Sequence, residues 1–179
     1  MDALTPQLID FIESQPMFFV ATAAETGRVN VSPKGLDTLR IDGPQRVRWL
    51  NLTGSGNETA AHVAATGRMT LMFCSFTEMP MILRVYGTAR VLHPRDDGWA
   101  VAIADLPVLA GSRQVFELDV ELVTTSCGSG VPVMSVDSIR ADEELEPFYA
   151  EMSDDELTDY WGRKNTSSLD GLPTGIFEV

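Results

Sequence analysis

Apolar positions Leu8, Phe11 and Ile12 recur at helical spacing, and Thr5-Pro6 offers an N-cap followed by proline at the first helical position. The spacing predicts a helix to about Ser14, stopped by Pro16. Met17–Ala24 is rich in Phe, Val and Ala, and Arg28–Ser32 alternates polar and apolar beyond Glu25-Thr26-Gly27, the signature of a β-hairpin with glycine in its turn. Leu36–Ile41 reads as strand or bend, and Asp42-Gly43-Pro44 as a turn. In Arg46–Leu52 the residues Val47, Trp49 and Asn51 alternate with Arg46, Arg48 and Leu50, as in a further strand. A short helix over Thr59–Thr66 follows, with Gly67 at its C′ position and Ser55-x-x-Glu58 as its capping box. Met69–Phe76, Met81–His93 and Gln114–Thr125 read as strands, with a surface helix over Pro94–Ala104 between the last two. Residues 141–160 are acidic and helical, with a capping box at Ser153-x-x-Glu156. About six strands with only short helices between them predict a mainly β (α+β) fold, an antiparallel barrel or sandwich with helical trimmings.

Length adds that the 179 residues suit one domain, spanning 1–179, with 141–179 as a helical extension packed on the barrel or on a second subunit. Thirteen basic against 26 acidic side chains give a net charge of −13, a surface that repels phosphate backbones and anionic lipid. Nucleic acid and membranes are thereby excluded as partners, and no apolar run reaches the roughly 18 residues of a membrane span. Met1–Leu8 carries Asp2 and no basic residue, unlike a secretory signal, and Cys74 and Cys127 form no recognisable framework. The expectation is a soluble cytoplasmic domain.

Candidate chemistry is sparse. His62 and His93 are the only histidines, in no metal-ligand spacing, so no metal site is expected, and neither a Gly-x-Ser-x-Gly elbow nor a Walker loop occurs. Cys127, in a glycine-rich loop, is either a reactive thiolate or, as such cysteines more often are, a small apolar residue. Gly54-Ser55-Gly56-Asn57-Glu58-Thr59 lies between a strand and a helix, where backbone N–H groups cradle phosphate. Thr59 stands where a dinucleotide fingerprint has its third glycine, and strand follows strand beyond Glu78, so a Rossmann domain is set aside. The plainer reading is that Ser55 and Asn57 cap the helix. A phosphate site needs cations. The chain has two lysines, and one, Lys34, ends a strand as either an exposed turn residue or an anion ligand. Arg84 interrupts the apolar run Met81–Tyr86 and is either an edge residue or an anion ligand.

Several segments in order resemble the pyridoxamine 5′-phosphate oxidase-like, FMN-binding split-barrel family. They are Phe18–Thr22, Gly27–Gly35, Trp49–Thr59, Ile82–Gly87, Cys127-Gly128 with Val131-Pro132, and Lys164-Asn165 with Ser168–Pro173. The resemblance implies a six-stranded antiparallel split β-barrel that forms a homodimer with two flavin sites at the interface. It places the flavin phosphate by Asn51, Thr53, Ser55 and Asn57, and the flavin ring by Ser32, Pro33, Lys34 and Gly35. Cys127, Gly128, Lys164 and Asn165 are the candidates for closing the pocket from the partner subunit. Gly56-Asn57 replaces the Arg-Lys pair that true pyridoxamine phosphate oxidases carry at the start of this helix. Neutral hydrogen bonds and the helix dipole must then hold the dianion. The C-terminal Arg-x-His pattern of those oxidases is absent as well.

The resemblance thus implies an FMN-dependent oxidoreductase acting on an unassigned small molecule, and not a true pyridoxamine phosphate oxidase. The flavin would carry the redox chemistry, and no residue stands out as a catalytic acid or base. The alternatives are a flavin-binding or flavin-sensing protein without turnover, a deazaflavin-dependent reductase, and a cofactor-free structural barrel.

Overall fold

A computed structural model describes residues 1–177. Helix α1 (Pro6–Glu13) has Thr5 as its N-cap, whose side chain accepts from Leu8 N, and it buries Leu8 and Ile12. The strands are β1 (Phe18–Thr22), β2 (Asn30–Lys34), β3 (Leu39–Ile41), β4 (Arg46–Leu52), β5 (Arg68–Cys74), β6 (Ile82–Leu92) and β7 (Ser112–Ser126). They form one antiparallel sheet in the order β2-β1-β5-β6-β7-β4-β3, curled into a split half-barrel. The count is seven where six were expected. The additional strand is β3, three residues paired with β4, left when Leu36–Ile41 divides into a turn and a strand. Leu36 and Asp37 take positive φ of 66° and 54°, conformations that non-glycine residues rarely adopt. Arg40 holds this turn by donating to the carboxylate and the backbone carbonyl of Asp37.

The hairpin is as expected. Thr22 pairs with Asn30 and Phe18 with Lys34, and Gly27 turns at φ 93°. The inner face of the sheet carries the core, including Val20, Leu71, Leu83, Val85 and Leu118. Trp49 stacks on Phe116 with centroids 4.7 Å apart, and Phe18 meets the edge of Trp49 at 6.1 Å. A smaller cluster of Leu50, Ala102, Leu106 and Val115 covers the other face of β4 and β7, so β4 is buried on both sides. That second cover includes α3 (Trp99–Ala102), much shorter than the helix expected over 94–104.

Helix α2 (Glu58–Thr66) packs on β1, β5 and β6 and ends at Gly67 in the left-handed conformation. Its expected capping box is absent. Asn57 is the N-cap residue without a side-chain cap bond, and Glu58 accepts from Leu169 N instead. The acidic region divides into α4 (Leu145–Ala150) and α5 (Asp154–Lys164), separated where Ser153 and Glu156 form the predicted capping box. Both pack on the barrel of their own chain. The Tyr149 ring lies against Gly111, whose φ of 72° and lack of a side chain admit it, and Trp161 Nε1 donates to Thr53 Oγ1 at 2.9 Å.

Candidate functional site

The end of β2, the turn after it, the end of β4 and the loop into α2 enclose a cavity of about 490 Å³, within the range of small-molecule sites. Ser32, Pro33, Lys34 and Gly35 line one side. Asn51, Thr53, Ser55 and Asn57 line the other, so eight of the residues singled out in the sequence share one wall-to-wall space. The antiparallel ladder explains why. Strand parity turns Ser32 and Lys34 to the same face of β2, and the chain leaves β4 for α2 at the same mouth of the barrel.

Two cations face this space. Lys34 Nζ donates to Asn51 Oδ1 at 3.4 Å and lies 5.2 Å from the Trp49 ring centroid. Burial, with Arg113 nearby, pushes its pKa down to about 8. Arg113, from the start of β7, is only 3% exposed. It donates to Gly56 O at 3.2 Å and to Asn165 Oδ1 at 2.6 Å, and burial pushes its pKa down to about 10, so it stays charged at neutral pH. All these acceptors are neutral, and no carboxylate pairs with either cation among the described residues. Arg113 Nε, Ser32 Oγ and Asn57 Oδ1 are buried without partners. A cation without an anion and an acceptor without a donor each leave an unmet electrostatic demand.

Among the described residues, Glu58 is the only other ionisable side chain on the cavity wall. The first-turn N–H groups of α2 open toward the glycine-rich loop and add a partial positive charge. Thr53 serves the frame, since its hydroxyl donates to Gly111 O at 2.8 Å and accepts from Trp161. Ser55 is exposed on the loop.

The remaining candidates divide. Asn165 is fully buried beside the cavity, in the same chain, bonded to Arg113 and to Gly54 O. Arg84 lies on the outer face of the sheet, donating to Ser126 Oγ at 3.3 Å, away from the cavity. Cys127 is exposed just beyond β7, where hydrogen bonds from Ser129 hold its thiol below the usual pKa. Gly128, at φ 67°, packs on the Met81 backbone, and Lys164 is exposed at the end of α5. None of these four lines the cavity in this chain.

Arg113 was not found by sequence reasoning, and neither were Thr38 and Leu145 on the same wall. A signal existed for Arg113: Arg113-Gln114 puts two polar residues at the head of a strand that is otherwise apolar on its inner face, and both are buried.

The fold and this site define a split-barrel protein with an anion-attracting cavity at the barrel mouth. The family description "pyridoxamine 5′-phosphate oxidase" matches residues 4–127, and the chain belongs to that family. The family protein ustO of Aspergillus flavus is 36% identical over 188 residues, covering 96% of this chain and 76% of its own. Among solved structures, HupZ of Group A Streptococcus aligns with a TM-score of 0.53 at 20% identity, over 73% of this chain and 99% of its own. A pyridoxamine 5′-phosphate oxidase-related, FMN-binding protein of Nostoc punctiforme aligns with a TM-score of 0.51 at 12% identity, over 68% and 84%. At such identities these two structures speak for the fold.

Proposed function

We propose that the chain is an FMN-dependent oxidoreductase acting on an unassigned small molecule, working as a homodimer in the cytoplasm. One observation carries the reading: a buried cation, Arg113, and a half-buried one, Lys34, both without carboxylate partners, share a cavity with buried polar atoms that lack partners. The complementary ligand must bring negative charge for Arg113 and Lys34, and hydroxyl or N–H donors for Asn57 Oδ1. A ribityl phosphate chain has both. Bound there, FMN would supply hydride and electron transfer to its substrate. The residues present bind and orient it, with Arg113 and the α2 N-terminus toward the phosphate and Lys34 and Ser32 toward the rest of the cavity.

A homodimer is supported by the outer face of the sheet. Val31, Ala21, Thr70, Tyr86 and Leu122 form a row across five strands, half-buried at its centre and exposed at both ends. Val31 is 60% and Leu122 46% exposed. An apolar row of this kind marks an interaction surface. Val31 is adjacent in sequence to Ser32, so a second copy seated there would also border the flavin cavity.

The test is the visible absorption of the purified protein and of the supernatant after heat denaturation, followed by addition of a nicotinamide donor. A released flavin phosphate that the donor reduces while bound is the expected result. A bound flavin that no donor reduces would favour binding or sensing without turnover. A colourless protein that also fails to bind added FMN overturns the FMN reading, and binding of a deazaflavin instead would then assign the cavity to that cofactor.

A further inference from the structure

We propose that Asn165 is the positioning residue that keeps the Arg113 charge available for an anionic ligand, acting through Arg113 and the glycine-rich loop. The inference rests on the anionic half of the reading above. Asn165 ends α5 and is fully buried, and each of its polar atoms is used. Its backbone N donates to Trp161 O at 2.8 Å. Its side-chain Nδ2 donates to Gly54 O at 2.9 Å, and its Oδ1 accepts from Arg113 Nη1 at 2.6 Å. Its carbonyl accepts from Thr174 Oγ1 at 2.6 Å and from Asn57 Nδ2 at 3.4 Å. One residue therefore ties the loop at Gly54, the head of α2 at Asn57 and the cation at Arg113 to the C-terminal segment.

The side chain is neutral, and that decides its role. A carboxylate here would form a buried ion pair with Arg113, satisfying the guanidinium and cancelling its charge. The amide aims Nη1 equally well but leaves the positive charge uncompensated, with Nε still without a partner. The segment beyond it is anchored independently. Asp170 accepts from Arg28 in the hairpin turn, Glu58 from Leu169 N, and Arg95 donates to the carbonyls of Gly175 and Ile176. Asn165 is thus held from both sides.

The experiment compares FMN with riboflavin, which lacks the phosphate, by fluorescence titration of the full chain and its Asn165→Asp variant. Loss of a charge-assisted contact predicts that Asn165→Asp lowers the ratio of FMN to riboflavin affinity about tenfold or more, with riboflavin affinity unchanged. A merely structural residue would lower the unfolding temperature and both affinities together, leaving the ratio intact, and that result overturns the proposal. Asn165→Ala introduces no charge and carries the same ratio test where the aspartate variant does not fold. Inorganic phosphate, titrated calorimetrically, separates the two readings. Wild-type protein that binds phosphate but no flavin ends the flavin reading, and loss of that phosphate binding in Asn165→Asp still upholds this one. Wild-type protein that binds neither, or FMN no better than riboflavin, overturns the role of Asn165.

Discussion

Two buried arginines on neighbouring strands meet opposite fates. Arg48 of β4 is 8% exposed and has two carboxylates, Asp42 at 2.7 Å and Asp105 at 2.7 Å, besides donating to Ala102 O. Arg113 of β7 is 3% exposed and has only neutral partners. On a chain of net charge −13, carboxylates are abundant, so a buried cation without one reflects its place in the fold. Arg48 is an internal brace that satisfies itself. Arg113 is incomplete until something anionic arrives, at a cost in stability that a ligand offsets.

Replacing each arginine by methionine breaks or sharpens that contrast. Arg113→Met should weaken FMN binding about 100-fold, since a charge-assisted phosphate contact is worth some 2–3 kcal/mol. The stability of the ligand-free protein should change by less than about 1 kcal/mol, because an uncompensated buried charge disappears with the hydrogen bonds. Arg48→Met should do the reverse. It leaves Asp42 and Asp105 facing each other and Ala102 O without its donor, costing about 2 kcal/mol of unfolding free energy after allowance for the half-exposed carboxylates. FMN affinity in the folded fraction should stay the same. Denaturant melts and flavin titrations of both variants decide it, and an Arg48 variant that folds but loses flavin would void the distinction.

Lys34 extends the contrast into pH. Its pKa lies near 8 in the free protein, below the ordinary lysine value of 10.5. Between those values the unfolded chain holds a proton that the folded chain lacks, so this group makes the free protein more stable as pH rises from about 8 to 10.5. An anionic ligand reverses the preference by holding the proton on Lys34. FMN affinity should therefore fall above pH 8 by up to about tenfold per pH unit, with uptake of as much as one proton on binding. Calorimetry in buffers of different ionisation enthalpy measures that proton. Lys34→Met should remove both the uptake and the slope, and a slope that persists in the variant assigns the linkage to another group.

Local chemistry explains which features were legible in the sequence. Thr5-Pro6, the hairpin glycine, Gly67 and the Ser153–Glu156 capping box act within a few residues, and each stands where the pattern places it. The two stretches that the family resemblance singles out, Ser32 to Gly35 and Asn51 to Asn57, border one cavity, and each is continuous in the chain. The failures are long-range. Ser55 and Glu58 do not form their box because residues near 165–169, more than 100 positions away, take Asn57 and Glu58 as partners. Arg84 drew attention as a charge in an apolar run, yet the flanking Leu83 and Val85, both fully buried, turn it outward by strand parity. The same parity argument at Arg113 is obscured because Arg113 and Gln114 are both buried where β7 meets the glycine-rich loop and α5.

The weakest test probes the far end of the scale. Arg46 and Asp119 pair at 2.8 Å across β4 and β7, two residues along β4 from Arg48, with side chains 44% and 63% exposed. Geometry alone would rank this pair with Arg48. Solvent screening and the entropy of holding two mobile side chains leave an exposed pair worth about 0.5 kcal/mol or less. Arg46→Ala should accordingly shift the denaturant midpoint barely beyond error, the more so at high salt, and leave flavin affinity untouched. A loss comparable to that of Arg48→Met would mean that strand register, not burial, sets the value of these bridges. The difference between Arg48 and Arg113 would then have to be sought in the strands that carry them instead of in the partners they lack.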